Sequence, residues 1–226
     1  MQLRSTLLSL TCAVAAIAVS VGATPAPQAT MSPYPQGGEV AFVKSISADL
    51  NSRFPNPQAA EAAGFFRYTN VDEDGAISYV NLHWQSGNPH QPSQLWYDAR
   101  GNLLGADFSA MQSSSPSQPQ VWGVSPQRWT SFREHVHYVL LQPDGTQKYG
   151  GVSAKKFAAA GGNVDDPKAE TLVKMGIATS PDQVAHVFLF PSIWDLIVWV
   201  KPNPAGAFAD VNPTVTVSST SSPKPM

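Results

Sequence analysis

Cysteine is almost absent from this chain. The one residue, Cys12, lies inside an apolar stretch near the start. If that stretch is removed, the chain has no disulfide, no thiolate nucleophile and no cysteine-based zinc or iron–sulfur site. Charge is scarce as well. Charged residues make up 13% of the sequence, 14 basic against 16 acidic, for a formal net charge of −2. Nucleic acid is therefore not an expected partner, because neither a basic excess nor a basic stripe is there to neutralise phosphates. No Asn-x-Ser/Thr acceptor is usable; Asn212-Pro213-Thr214 is blocked by its proline. The local signatures of several large enzyme classes are also missing: the Gly-x-Ser-x-Gly elbow, the His-Glu-x-x-His helix, the phosphate-binding glycine loop and the dinucleotide fingerprint. Ser153-Ala154-Lys155-Lys156 has the Ser-x-x-Lys spacing of penicillin-binding serine enzymes, but no Lys-Thr-Gly or Ser-Asp-Asn element follows it.

One long apolar run is present, and it reads as an export signal. Arg4 supplies the positive start, residues 7–21 are weakly polar throughout, and Val21-Gly22-Ala23 puts small residues before a cut. The run falls short of the ~20 apolar residues of a membrane helix. Thr24-Pro25-Ala26-Pro27 follows it instead of a basic stop-transfer cluster. Residues 1–23 are therefore expected to be a cleaved signal peptide, with the protein secreted or periplasmic and not stably inserted in a membrane. Loss of Arg4 leaves 13 basic against 16 acidic residues.

Residues 24–38 are rich in Pro, Ala and Gln and residues 213–226 in Ser, Thr and Pro, so both are expected to be disordered. Between them, 39–212 is expected to form one compact domain. Helices are predicted over 39–50 (Val40, Val43, Ile46 and Leu50 on one face), 57–63, 125–133, 153–160 and 166–175. Strand signals occupy 76–84, 94–97, 103–108, 135–142, 146–149, 187–190 and 196–200, with turns at Asp98-Ala99-Arg100-Gly101 and Pro143-Asp144-Gly145. Hairpins with helices between them predict an α+β, single-domain fold, an antiparallel sheet of about six to eight strands with packed helices.

Chemistry is sought first at Glu134-His135-Val136-His137-Tyr138. In a strand His135 and His137 share a face with Val136 opposite, which is how two ligands of a divalent transition metal (Zn, Cu, Fe or Mn) can be presented. His83 and His90 are the expected further ligands. The pair resembles the opening half of the cupin metal motif, but Gln142 stands near where a Glu would be wanted and no later Pro-x-Gly…His block follows, so no family is assigned on it. The competing reading makes the two imidazoles a satisfied polar part of the sheet.

A second segment, 70–78, resembles the front of an EF-hand calcium loop, with Asn81 where a bidentate Glu belongs. An acidic β-turn explains the same residues. Six tryptophans raise the question of a sugar platform, for which Trp96 and Tyr97 are the expected exposed pair, with Glu134 and Tyr138 as further ligand contacts. Three functions follow as expectations. The first is a secreted binding protein with a His-centred metal or small-ligand site. The others are a carbohydrate- or cell-wall-binding module and a small metal-dependent hydrolase with Glu134 or Asp107 as base. The balance leans away from an enzyme. Partners would be a small molecule, a metal or a glycan. N-terminal sequencing of protein recovered from outside the producing cell should begin at Thr24 or a few residues later; an intact Met1 there would overturn the export reading.

Overall fold

The computed structural model describes residues 31–72 and 75–215. It is α+β, with nine strands in two antiparallel sheets and four α-helices among the described residues. The helices are α1 (Gly38–Arg53), α2 (Pro57–Ala62), α3 (Ala154–Ala159) and α4 (Ala169–Lys174). The strands are β1 (Phe66–Arg67), β2 (Ile77–Val80), β3 (Gln94–Tyr97), β4 (Leu103–Met111), β5 (Thr130–Phe132), β6 (His135–Leu141), β7 (Gln147–Ser153), β8 (Val184–Phe190) and β9 (Ile193–Trp199). Six form a sheet in the order β1-β2-β3-β4-β9-β5; three form a smaller sheet, β7-β6-β8.

Two-residue periodicity in the strands builds the layers. In the large sheet Tyr79, Leu95, Tyr97, Ala106, Phe108, Leu196 and Val198 face one way and pack on Phe42, Ile46 and Leu50 of α1. Those helix residues recur every four positions, which makes one apolar stripe. Val40, expected on that stripe, is exposed; Phe42 takes its place. In the small sheet Val136, Tyr138 and Leu140 face Phe157 of α3 and Leu172 of α4. The remaining faces of the two sheets meet through Tyr68, Val80, Phe188, Phe190 and Ile193. A cavity lies between those faces.

Local chemistry explains most element ends. Asn56 accepts from the Ala59 N–H at 3.0 Å and Pro57 opens α2. The β3–β4 connection is closed by Asp98, whose side chain accepts from the backbone of Arg100 and Asn102. Ser153 Oγ accepts from the Lys156 N–H at 3.3 Å, so the Ser-x-x-Lys spacing is a helix cap. The helix expected over 125–133 is instead a single 3-10 turn (Pro126–Arg128) followed by β5. The β-prone Thr130 and Phe132 pair there with Asp195 and Ile193 of β9. The acidic segment 70–78 connects β1 to β2: Asp72 N–H donates to the Ala76 carbonyl and Asp72 Oδ1 accepts from the Ala76 N–H. Glu73 and Asp74, two of the expected calcium ligands, lie outside the described residues, as do the expected signal peptide and most of the terminal tail.

Both flanks contribute packing beyond 39–212. Arg128 donates to the carbonyls of Ser32 and Tyr34, and Val215 is buried beside Leu104 and Trp199. Arg128 also forms an ion pair with Glu39, Nη2 to Oε2 at 2.8 Å, with both side chains 5% exposed. Among the described residues no helix is long and apolar enough to cross a membrane.

Arg128→Met tests that anchor. Burial pushes the Glu39 carboxyl up, but Arg128 and the backbone N–H groups of Gln36 and Ser125 outweigh it and hold it below its ordinary value. Removing Arg128 strands a buried carboxylate, a loss of ~3–5 kcal/mol at pH 7 by urea denaturation. A lowered folded-state pKa contributes stability above the unfolded value and loses it as pH falls through the folded one. The gap between variant and wild type should therefore shrink at acidic pH.

Candidate functional site

The inward face of the large sheet is polar where its other face is a hydrophobic core. Alternation in β4 sends Asp107 and Ser109 inward while Ala106, Phe108 and Ala110 face α1, and a register shift opposite Trp96 and Tyr97 places Leu103 with the α1 core and Leu104 in the cluster with Trp199. In β9 alternation sends Ile193, Asp195 and Ile197 inward. Ser109 pairs directly with Asp195 in the β4–β9 register, and Asp107 pairs with Ile197, so the two carboxylates are diagonal neighbours on one face. From β2 and β3 come Ser78, Gln94 and Trp96. The small sheet closes the space with His135 and His137 of β6 and Phe190 of β8. The enclosed volume is about 300 Å³, at the small end of ligand cavities.

Asp107 and Asp195 are only 5% and 4% exposed. Burial, and then the charge and contact of Asp195, holds the Asp107 carboxyl far above its ordinary value. Burial likewise raises Asp195, to about 7, although Ser109 and Asp107 hydrogen-bond to it. Two acids so placed cannot both ionise cheaply, and at neutral pH the pair retains a proton. The neighbouring donors are arranged around it. Ser109 Oγ donates to Asp195 Oδ1 at 3.0 Å and lies 2.6 Å from Ser93 Oγ; Trp96 Nε1 donates to Asp107 Oδ2 at 3.1 Å. Asp107 Oδ1 is buried and accepts from no N–H or hydroxyl of the protein, and the Asp107 carboxyl is hydrogen-bonded to Asp195. A buried acid whose only further partner is a second acid is costly to ionise.

The histidines form the facing wall. His135 stacks on Phe190 with ring centroids 5.1 Å apart, and His137 on Phe188 at 5.5 Å. The two imidazoles are 4.7 Å apart, and Tyr68 meets His137 edge-on at 5.2 Å. His135 Nδ1 lies 2.8 Å from the Arg133 carbonyl, which only a protonated nitrogen can satisfy. Burial, and then the neighbouring His135, lowers His137 to about 4, so it is neutral at physiological pH. Tyr68 donates to Gln94 Oε1 and is kept protonated by burial and by Asp107.

The expected residues are thus sorted by position. His135, His137, Trp96 and Asp107 meet at one cavity. His83 lies apart, on a broader cleft of about 690 Å³ lined also by Leu82, Gln85 and Met111. His90 is exposed beside α1, its Nδ1 3.7 Å from Asp49. The four histidines therefore do not converge, and among the described residues no group of three or more His, Cys, Asp or Glu is placed to hold a metal ion. Tyr97, expected to be exposed beside Trp96, is fully buried on the opposite face, where its hydroxyl donates to the Phe54 carbonyl at 3.1 Å. Adjacent strand residues cannot share a face. For the same reason Tyr138 points away from His137 into the α3–α4 core, its ring filling the space a side chain on Gly150 would need. Glu134 is exposed at the entrance to β6, outside the cavity lining. Asp195, Gln94, Ser109 and Tyr68 escaped the sequence reading. The signal was available for Asp195: a carboxylate midway through Ile193–Trp199 breaks an otherwise apolar strand.

Asp107→Asn probes the strain of the pair. Its amide can donate to Asp195, and the substitution removes a carboxyl that ionises freely in the unfolded chain but not in the folded one. A raised folded-state pKa means that the pair's contribution is full below the ordinary carboxyl range and is lost as pH rises through about 7. The variant should be more stable than wild type at pH 8, by ~1–3 kcal/mol in chemical denaturation, with the gap narrowing at pH 5. A variant less stable than wild type at pH 8 would show that the pair is not strained. In comparisons with protein-family models, with curated proteins and with solved structures, nothing matches this chain.

Proposed function

We propose that the chain is an exported binding protein for a small organic molecule, held in the cavity between its two sheets. One observation carries the reading: two buried acids, Asp107 and Asp195, line one side of a cavity, and Asp107 Oδ1 accepts from no N–H or hydroxyl of the protein. Stability alone selects against such an atom, whereas a bound donor offsets its cost. The walls suit an organic guest, since aromatic faces and a few convergent polar groups are the usual composition of such sites. Export rests on the 1–23 signal.

A proton-sharing acid pair is also an arrangement that acid–base catalysts use. This gives the hydrolase reading its one specific support, with Asp107 and not Glu134 as the base. The binding reading ranks first because the facing imidazoles are stacked on aromatic rings, not hydrogen-bonded to the acids. A mixed library of small amines, alcohols, sugars and acids, screened by thermal shift and ligand-observed NMR, should yield binders. Phe132→Ala, at the 42%-exposed cavity rim, should weaken them by about tenfold with an unchanged fold. No binder of any class would sink the proposal, and conversion of a bound compound to product would favour the hydrolase.

A further inference from the structure

The hydrogen-bond balance of the cavity is lopsided, and the imbalance selects a ligand class. Most of the side-chain donors at the site are already engaged within the protein. Tyr68 donates to Gln94, Trp96 to Asp107, and His135 Nδ1 to Arg133; Ser78 hydrogen-bonds Tyr68, and Ser109 beneath the floor donates to Asp195. The Gln94 amide is the further side-chain donor. Acceptors dominate what is left: Asp107 Oδ1 accepts from no N–H or hydroxyl of the protein, and the Asp195 carboxyl is its diagonal neighbour on the same face. Among the described residues no Lys or Arg lines the space. Apolar walls come from Phe132, Phe190, Ile193 and Ile197.

We infer that the ligand is a small organic cation, a protonated amine with an apolar body, whose ammonium group takes the place of the proton held between Asp107 and Asp195. This rests on the proposed binding role of the cavity and adds the ligand class to it. An ammonium brings several donors and one positive charge on a compact head. The donors meet the two carboxyls, and the charge allows both acids to ionise. One proton leaves the pair as one cation enters, so the charge of the site is unchanged. The apolar body then lies against the aromatic wall, where a cation also gains from ring faces.

Exchange of a proton for a cation makes binding pH-dependent. The titratable groups that face the pair are Tyr68 after β1, Asp72 before β2, and His135 and His137 from β6; β2, β3, β5, β8 and the rest of β9 present none to the cavity. Tyr68 stays protonated because burial raises it, and His137 stays neutral down to about 4. With Asp195 near 7, a cation should bind more tightly as pH rises through neutrality.

Three probes of one shape separate the alternatives on the folded chain: benzylamine, benzyl alcohol and benzoate, titrated by calorimetry at pH 5.5 and pH 8. Benzylamine should bind about tenfold or more tightly than benzyl alcohol at pH 8, and benzoate should not bind. Benzylamine should weaken by about tenfold at pH 5.5. Near pH 6.5, titrations in buffers of different ionisation enthalpy should show proton release on binding. Asp107→Asn and Asp195→Asn, each isosteric and checked by circular dichroism, should lose the preference for amine over alcohol. If either variant fails to fold, proton release by the wild type decides the matter. Equal or tighter binding of benzyl alcohol, or benzylamine binding without proton release, overturns the cation while leaving a small-ligand cavity in place. Absence of binding by all three probes and by the wider library removes the cavity reading itself.

Discussion

Two carboxylic acids stand side by side in the interior of a sheet, and much of the surrounding structure can be read as the means of keeping them there. Desolvating one carboxylate costs several kcal/mol, and a second beside it adds repulsion. The fold offsets this partly by retaining a proton on the pair. It also supplies donors from below and beside it, through the Ser93–Ser109 hydroxyls and the Trp96 indole. Among the described residues it supplies no Lys or Arg: Arg128, whose side chain is buried, is committed to Glu39 outside the cavity lining. Unlike Glu39, which faces a cation in Arg128, Asp107 and Asp195 face each other and line a cavity. The contrast separates a buried charge that ties the chain together from a pair that the proposed function assigns to a guest.

Stability for this arrangement comes from the opposite face of the same strands. Each of β3, β4 and β9 alternates between the α1 core and the cavity, so each polar inward residue is flanked by apolar residues on the other side. Leu95 and Tyr97 surround Trp96, and Ala106 and Phe108 surround Asp107. Leu196, fully buried, follows Asp195. A register slip of one residue would turn the acids into the α1 core and Phe108 into the cavity, which strongly disfavours any pairing but the one observed. The strained site and its compensation are thus covalently interleaved. The small sheet repeats the logic with His135 and His137 on one face and Val136 and Leu140 on the other.

That same alternation sets what the sequence could show. The α+β class, the antiparallel hairpins and the shared face of His135 and His137 follow from short-range patterns, and the structure has them. What failed were inferences that needed the third dimension or ignored the period. Trp96 and Tyr97 are adjacent in a strand, so they could not form one platform. Tyr138 beside His137 fails for the same reason. His83 and His90 lie outside the cavity lined by His135 because their segment turns after Val80, where β2 ends and Asn81 donates to the Ala63 carbonyl. No local signal encodes that turn. The split of one expected sheet into two was equally hidden, since it depends on which strands pair and not on what each strand is. Asp107 and Asp195, 88 positions apart in sequence, become neighbours only because β9 inserts between β4 and β5.

The two histidines change meaning once their surroundings are known. A His-x-His pair on a strand presents imidazoles to whatever lies opposite, and here that is an aromatic layer and a cavity. Stacking on Phe188 and Phe190 fixes the ring planes, and the Arg133 carbonyl fixes the tautomer of His135. His137, neutral at physiological pH, is a polarizable wall that adds no positive charge to a site that already holds a proton. Had either imidazole been cationic, it would have neutralised the acid pair and left the cavity no electrostatic preference. The low pKa of His137 and the high pKa of Asp195 are therefore two sides of one burial, which penalises the charged form of each; a guest that arrives with its own positive charge, as inferred above, offsets that penalty for the acids.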